Sequence, residues 1–247
     1  MTRALRAGAL AAAALGLSGC LLFLPMPSRK SPEQSQANLL PMPAPQPHRP
    51  PGRSEDQLTS EVNALGDRIG GYPPHFQSEV ERQDAYDRWS DLLLDAQALP
   101  WSTAGEATRL GLLGELYRQG FDMDVASAGS LAEATLLQCI DLHPRAINCN
   151  WSLVFLYLSV TPSDERLKQV RFSLDVLRQE LGPAPNEEVE YYSALLRAFN
   201  GDVDGARRQI DAYFKDFPQG PHSDDLHKLS SEIDEAESKR KKEASAP

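Results

Sequence analysis

Helical periodicity dominates the chain from Ser54 onward and constrains its fold more than any other feature. Apolar residues recur every three to four positions, which is the spacing of one face of an α-helix. One such face consists of Leu58, Val62, Leu65 and Ile69. A second consists of Val80, Tyr86, Trp89, Leu92, Leu93 and Ala96. The sequence after Ser54 lacks the polar–apolar alternation of half-buried strands, so we expect an all-α fold.

Three polar patterns predict where individual helices begin. Thr103 and Glu106 have the spacing of a capping box, in which the two side chains satisfy the first free backbone amides. The stretch 161–164, Thr-Pro-Ser-Asp, predicts a start with Pro162 at the first helical position. Asn186 is followed by two glutamates and predicts a third start, because an Asn cap and acidic residues both stabilise a helix N-terminus.

Two segments of the helical region share one pattern. Each places a small residue first, a bulky residue four positions later and a proline eight positions after that. These positions are Ala132, Leu136 and Pro144 in the first segment, and Ala206, Ile210 and Pro218 in the second. A small residue allows two helices to cross closely, and a proline ends the second helix. The pattern predicts repeated helical hairpins.

The segments "LAEATLLQCIDLHP" and "DGARRQIDAYFKDFP" resemble the second helix of a tetratricopeptide repeat, and "RLGLLGELY" resembles its first helix, with Gly114 as the small packing residue. The resemblance spans about residues 107–221 and is irregular, because the two prolines lie 74 residues apart, six more than two 34-residue units. It implies a right-handed stack of helical hairpins with a concave face. The N-terminal helices at 54–106 would precede this stack, and a capping helix at 222–238 and a disordered basic tail at 239–247 would follow it.

The N-terminus has the layout of a secretory signal over residues 1–19. Arg3 and Arg6 precede an apolar run that ends in small residues. The four residues "LSGC" that end at Cys20 resemble the bacterial lipobox. This resemblance implies cleavage before Cys20 and covalent attachment of a lipid, including palmitate, to the new N-terminal residue. The protein would then be a lipoprotein.

Two interpretations of the anchor remain open. An aspartate directly after the lipobox Cys would resemble an inner-membrane retention signal, but this chain has Leu21 at that position. The resemblance therefore implies attachment to the outer membrane, with the folded part facing the periplasm. The apolar run also continues from Ala7 to Leu24, and its 18 residues are close to the roughly 20 that cross a bilayer. An uncleaved membrane anchor is therefore the alternative.

Residues 20–53 are predicted to form a tether. The part from 25 to 53 has nine prolines and few residues that could build a core, which is typical of extended, polyproline-like linkers. The net charge of −10 argues against nucleic acid, whose binding depends on neutralising phosphates.

Cys139 and Cys149 each lie five residues from Pro144. In an antiparallel hairpin such positions can face each other, and the periplasm oxidises thiols. A disulfide and a pair of buried thiols are both compatible with this arrangement, because the bond requires Cα atoms within about 7 Å.

The sequence contains no recognisable catalytic or metal-binding motif. No Ser or Cys has a known nucleophile setting, and no phosphate loop is present. His222 and His227 in "HSDDLH" are five residues apart, which does not align them on one helix face. We therefore expect no enzyme activity, no small-molecule substrate, no metal and no cofactor besides the covalent lipid.

The aromatic residues, including Trp151 and Phe155, are mostly predicted to pack between helices. Tyr191 and Tyr192 are adjacent and about 100° apart on a helix, so one of them is expected to reach the groove. Arginines on the groove would bind carboxylates of a partner. The candidates for partner binding are Tyr191, Tyr192, Arg118, Arg197, Arg207 and Arg208.

These features predict a non-catalytic, lipid-anchored adaptor of the bacterial cell envelope. Its groove would bind another envelope protein. The resemblance to outer-membrane repeat lipoproteins implies a scaffold in a trans-envelope motility, pilus-secretin or secretion complex. The alternative is an accessory lipoprotein that docks or activates a peptidoglycan enzyme or an outer-membrane protein assembly factor.

Overall fold

The computed structural model describes residues 39–46, 50, 52–70, 74, 76–100, 105–160 and 163–244. Within these ranges the chain forms nine α-helices and no β-strand, which confirms the predicted all-α class. The helices are α1 (Glu55–Ile69), α2 (Glu79–Ala98), α3 (Glu106–Asp122), α4 (Ala128–Leu142), α5 (Ile147–Leu158), α6 (Asp164–Glu180), α7 (Glu187–Phe199), α8 (Val203–Asp216) and α9 (Ser223–Ala244). Cys20 and the predicted signal peptide lie outside the described residues.

Each helix packs on the next one in the chain, and α3 also packs on α1 and α5. Helices α3 and α4 pack closely at Gly114. A Cβ atom at this position would lie 2.4 Å from Cδ2 of Leu136, so a larger residue here would force the Leu136 side chain to move. The small residue that the sequence predicts at this crossing therefore fits the close packing of the two helices.

Three apolar clusters form the core. The N-terminal cluster lies among α1, α2 and α3, the central cluster among α3 to α7, and the C-terminal cluster among α7, α8 and α9. Trp89 is fully buried in the N-terminal cluster, and its indole N–H donates to the Leu116 carbonyl oxygen at 2.6 Å. This bond satisfies the polar atom of a large buried ring, as burial of tryptophan requires.

Contacts between α3 and α5 recur at a constant sequence offset. The Ser152 hydroxyl donates to Glu115 at 2.8 Å, and the Arg118 guanidinium lies 5.7 Å from the centroid of Phe155. Both pairs are 37 residues apart, and a constant offset means that α3 and α5 run in the same direction. Phe155 in turn contacts the ring of Tyr192, another 37 residues along the chain.

Helices α4, α6 and α8 show the same interval. Their buried residues Leu136, Ser173 and Ile210 follow one another at 37 residues. The 74 residues between Pro144 and Pro218 are twice this interval.

The helix starts agree with the sequence at one of three places. The Asn186 side chain accepts from the Val189 amide at 3.1 Å and caps α7 as predicted. The capping box was wrong in its register, because Glu106 is the first residue of α3 and Gly105 caps it without a side-chain bond. Thr103 lies outside the described residues.

The predicted start at Pro162 was also displaced. The Ser163 side chain accepts from the Arg166 amide at 3.3 Å, so Ser163 is the cap and α6 begins at Asp164. Pro162 itself lies outside the described residues. On α2, Val80 is 79% exposed instead of buried, because the buried face of this helix begins one turn later, at Ala85.

An extended segment before α1 packs on the helical body; we call residues 39–42 the strap. Leu40 forms a parallel bridge with Val125 in the turn between α3 and α4. The Leu40 amide donates to the Asp124 carbonyl oxygen at 3.0 Å, and its own carbonyl accepts from Ala126 at 2.9 Å. Asp124 has a positive φ of 67°, a backbone conformation that is uncommon for residues with a side chain but one in which Asp is enriched.

Side chains strengthen this attachment. Leu40 and Met42 pack against the N-terminal cluster, and the Tyr86 hydroxyl donates to the Pro41 carbonyl oxygen at 2.7 Å. Closer to α1, the Arg53 guanidinium forms ion pairs with carboxylates of α1 and α2. Its partners are Glu61 at 2.7 Å, Asp91 at 2.9 Å and the buried Asp95.

These contacts fall within residues 20–53, which the sequence predicts as a tether. The structure attaches residues 39–42 and 52–53 of that segment to the folded body. The physical reason is local: Leu40 and Met42 are the apolar residues that a proline-rich segment can bury, and Arg53 faces three carboxylates.

The C-terminal helix is longer than predicted. α9 continues to Ala244, through residues 239–244 that the sequence predicts as a disordered tail. Lysine, arginine, glutamate and alanine are all good helix formers, so the helix extends beyond its last packed turn. Among the described helices, none is both long enough and apolar enough to cross a membrane.

Candidate functional site

Five rings form a continuous aromatic strip across α5, α7 and the residue before α9. Its members are Trp151, Phe155, Tyr192, Tyr191 and His222. Trp151 and Phe155 stack with centroids 5.5 Å apart, and Phe155 meets Tyr192 edge to face at 5.3 Å. The strip ends where His222 stacks on Tyr191 at 3.9 Å.

Helix geometry accounts for the strip. Trp151 and Phe155 are four residues apart on α5, so both rings lie on the same helix face. Tyr191 and Tyr192 diverge along α7, so one reaches toward α5 and the other toward His222. Tyr192 packs against the central cluster and Tyr191 against the C-terminal cluster, so the strip joins two parts of the core.

All five rings are partly exposed to solvent. Burial raises the pKa of Tyr191 and of Tyr192 above the ordinary value, and the nearby carboxylates of Glu188 and Asp225 raise both further. Glu188 also lies 3.2 Å from Nε2 of His222. The strip is therefore an aromatic surface with carboxylates beside it at the start of α7 and α9.

Arg118 borders the strip but is occupied by the protein's own carboxylates. Only 6% of the residue is exposed. Its guanidinium is 2.6 Å from Glu115 and 2.6 Å from Asp122. Burial disfavours the charged guanidinium, but these two carboxylates outweigh that effect and raise the pKa of Arg118 above its ordinary value. Arg118 therefore forms a buried ion-pair network with carboxylates of its own helix.

The other candidate arginines are distributed over α7 and α8. Arg197 is 2.9 Å from Asp202 and holds the turn between these helices. Arg207 ties α8 to α9 through Asp234 at 2.6 Å and Glu237 at 3.2 Å. Arg208 is exposed on α8 and also lies near Asp202. The structure does not bring the four arginines together at one site.

Cys139 and Cys149 form a disulfide with their Cα atoms 6.3 Å apart. The bond joins the end of α4 to the start of α5. Both residues are fully buried in the central cluster. Of the two alternatives that the sequence allowed, the structure contains the bonded pair.

The two histidines of "HSDDLH" have aromatic partners. His222 stacks on Tyr191, and His227 stacks on Phe214 at 4.4 Å. Among the described residues, no group of three or more His, Cys, Asp or Glu side chains is placed to hold a metal ion.

Sequence reasoning found two members of the strip, Tyr191 and Tyr192, and missed the other three. Trp151 and Phe155 carry a usable signal, since two aromatic residues four positions apart mark one helix face. His222 carries none, because its partner Tyr191 is distant in the sequence. Comparison with known proteins finds no matching family model, no matching curated protein and no matching solved structure.

Proposed function

We propose that this protein is a non-catalytic, lipid-anchored adaptor of the bacterial cell envelope that binds a partner protein on the aromatic strip. The observation that carries the proposal is the strip itself. Five partly exposed rings run without interruption across two helices and the start of a third. Aromatic residues are enriched where proteins bind one another, because they combine large apolar area with few rotatable bonds.

The repeat interpretation supports this location. The shared direction of α3 and α5 and the 37-residue interval are features expected of a tetratricopeptide-like solenoid with units slightly longer than usual. In such a stack the first helices of successive units share one face. Arg118, Phe155 and Tyr192 would occupy equivalent positions on α3, α5 and α7, and the strip would line the concave groove.

The N-terminal sequence supports the anchor. The signal and lipobox pattern that ends at Cys20 would attach the chain to the outer membrane, with the helical body in the periplasm. A disulfide between Cys139 and Cys149 is consistent with an oxidising compartment. We favour a role in a trans-envelope motility, pilus or secretion complex, and the alternative is docking to a peptidoglycan enzyme or an outer-membrane protein assembly factor.

Photocrosslinking in intact cells tests the adaptor function. A photoreactive phenylalanine at position 155 should capture a defined envelope protein, because Phe155 lies within the strip. The same residue at position 172 is the matched control, since Phe172 on α6 is 44% exposed and lies outside the strip. Equal capture at both positions, or none at 155, would contradict the proposal. Capture of a cell-wall hydrolase or an assembly factor would favour the alternative.

The anchor has its own test. Cys20→Ser should accumulate as an unprocessed precursor that incorporates no radioactive palmitate, because the serine hydroxyl cannot form the thioether. Normal processing and labelling of this variant would show that the lipobox interpretation is wrong.

A further inference from the structure

The fold already places guanidinium groups over its aromatic rings. Arg118 lies 5.7 Å from the centroid of Phe155, and Arg166 lies 5.4 Å from the centroid of Tyr157. A cation within about 6 Å of a ring centroid is attracted by the negative face of the ring. Phe155 is therefore a ring of the strip that already has a cation beside it.

The charge beside the strip is negative. Glu188 is 46% exposed, and Asp225 is exposed at the start of α9. Glu188 lies 3.2 Å from Nε2 of His222, and both carboxylates add to the effect of burial in raising the pKa of the two tyrosines. Arg118, beside Phe155, is itself paired with Glu115 and Asp122. The chain as a whole carries a net charge of −10.

We propose that the aromatic strip binds a cationic segment of the partner, with an arginine or lysine side chain against the rings and its charge facing Glu188 and Asp225. This rests on the proposed adaptor function and names the chemistry of the partner. It reverses the polarity expected from the sequence, in which arginines of this protein would bind carboxylates of the partner. Aromatic rings beside carboxylates favour a cation by ring attraction and by charge complementarity.

The test combines the photoreactive residue at position 155 with neutral variants of the two carboxylates in the full-length protein. Mass spectrometry of the crosslinked peptide identifies the partner segment. We expect that segment to contain arginine or lysine. The E188Q/D225N double variant should capture about tenfold less, which corresponds to about 1.4 kcal/mol.

The matched control is E165Q/D175N. It removes the same two charges from exposed positions on α6 and should leave capture unchanged. Glu188 keeps a hydrogen-bonding group as glutamine, and both substituted sites are solvent-accessible, so circular dichroism should be the same for all variants.

The outcomes separate the two proposals. A captured segment without arginine or lysine, or undiminished capture by E188Q/D225N, would overturn the cationic partner while the adaptor function stands. Absence of any capture at position 155 by folded protein would overturn the adaptor function and this inference with it. Equal losses in E188Q/D225N and E165Q/D175N would indicate long-range electrostatics, and would overturn the local site.

Discussion

The N-terminal helices and the face formed by α5 and α7 differ in how far their apolar residues are covered by the rest of the chain. Around α1 and α2, the chain covers its own core: Leu40 and Met42 of the strap pack on the N-terminal cluster, and Arg53 neutralises neighbouring carboxylates. Along α5 and α7, the aromatic strip remains partly exposed. The N-terminal cluster is thus covered by residues of the same chain, whereas the aromatic strip is not fully covered. The strip is therefore the better candidate for contact with another protein.

Removal of the Arg118 side chain, on α3 between the two regions, should cause the largest loss of folding stability. Arg118→Ala leaves the buried carboxylate of Asp122 and the partly buried one of Glu115 without their cation, and loss of one partner of a buried ion pair costs about 3–5 kcal/mol. Urea denaturation measures this loss. Arg208→Ala, at an exposed position, should stay within about 0.5 kcal/mol of the wild type. Equal stability of both variants would mean that the buried pair is not a structural link.

Loss of the disulfide should come next. Replacement of both Cys139 and Cys149 by serine should lower the free energy of unfolding by about 2–4 kcal/mol, because the bond constrains the unfolded chain between α4 and α5. Unfolding in the presence of a reductant should lower the stability of the wild type to that of the double variant and leave the double variant unchanged. A reductant effect on the double variant would point to another cause.

Disruption of the strap should affect the N-terminal region alone. Leu40→Asp replaces a partly buried apolar side chain with a charge and should cost about 1–3 kcal/mol. Hydrogen exchange should report it as faster exchange of the Ala126 amide, which donates to Leu40. The control is Leu39→Asp, because Leu39 is 39% exposed. If both variants protect Ala126 equally, the strap is not held by its apolar contact.

Truncation within the strip should change stability less. Phe155→Ala removes a partly exposed ring and its contacts with Trp151 and Tyr192, which are worth about 1 kcal/mol. Partner capture from a photoreactive residue at position 192 should nevertheless be lost. A large fall in melting temperature, with capture unchanged, would assign the strip to the core and remove the contrast with the N-terminal region.

The smallest effect should be in the acid range. Burial alone would raise the pKa of Glu115, but the Arg118 charge and the hydrogen bonds from Arg118, Ser152 and Gln119 together outweigh it and lower the pKa below the ordinary glutamate value. The stability from this group is therefore present above the ordinary pKa and is lost as the pH falls through the lowered one. Glu115→Gln should flatten that part of the stability–pH curve. An unchanged curve would contradict the assignment.

The sequence pattern predicted the structural features that depend on residues close together in the chain. The faces of α1 and most of α2, the cap at Asn186 and the small residue at Gly114 were all visible, because each follows from spacing within a helix or a turn. The 37-residue spacing of the buried residues Leu136, Ser173 and Ile210 was harder to predict, because it differs by three residues from a 34-residue unit.

Contacts between distant parts of the chain were not predictable. The residues around Leu40 do not predict its bridge to Val125, because an isolated bridge between two residues produces no periodic pattern in the sequence. The role of Arg118 left a trace in the sequence, since Glu115 and Asp122 lie three residues before it and four after it on the same helix face. The residue type alone suggested these arginines as partner-binding residues, and only the packing shows which of them form ion pairs with carboxylates of the same chain.

The strap also sets a distance. If the chain is anchored at Cys20, its free length ends at Leu40 rather than at Arg53. At ~3.1 Å per residue for an extended proline-rich chain, the 20 intervening steps reach at most ~60 Å, against ~100 Å for a tether that is free to Arg53. The helical part would then stay closer to its membrane. A shorter tether raises the local concentration of the strip for a partner near that membrane.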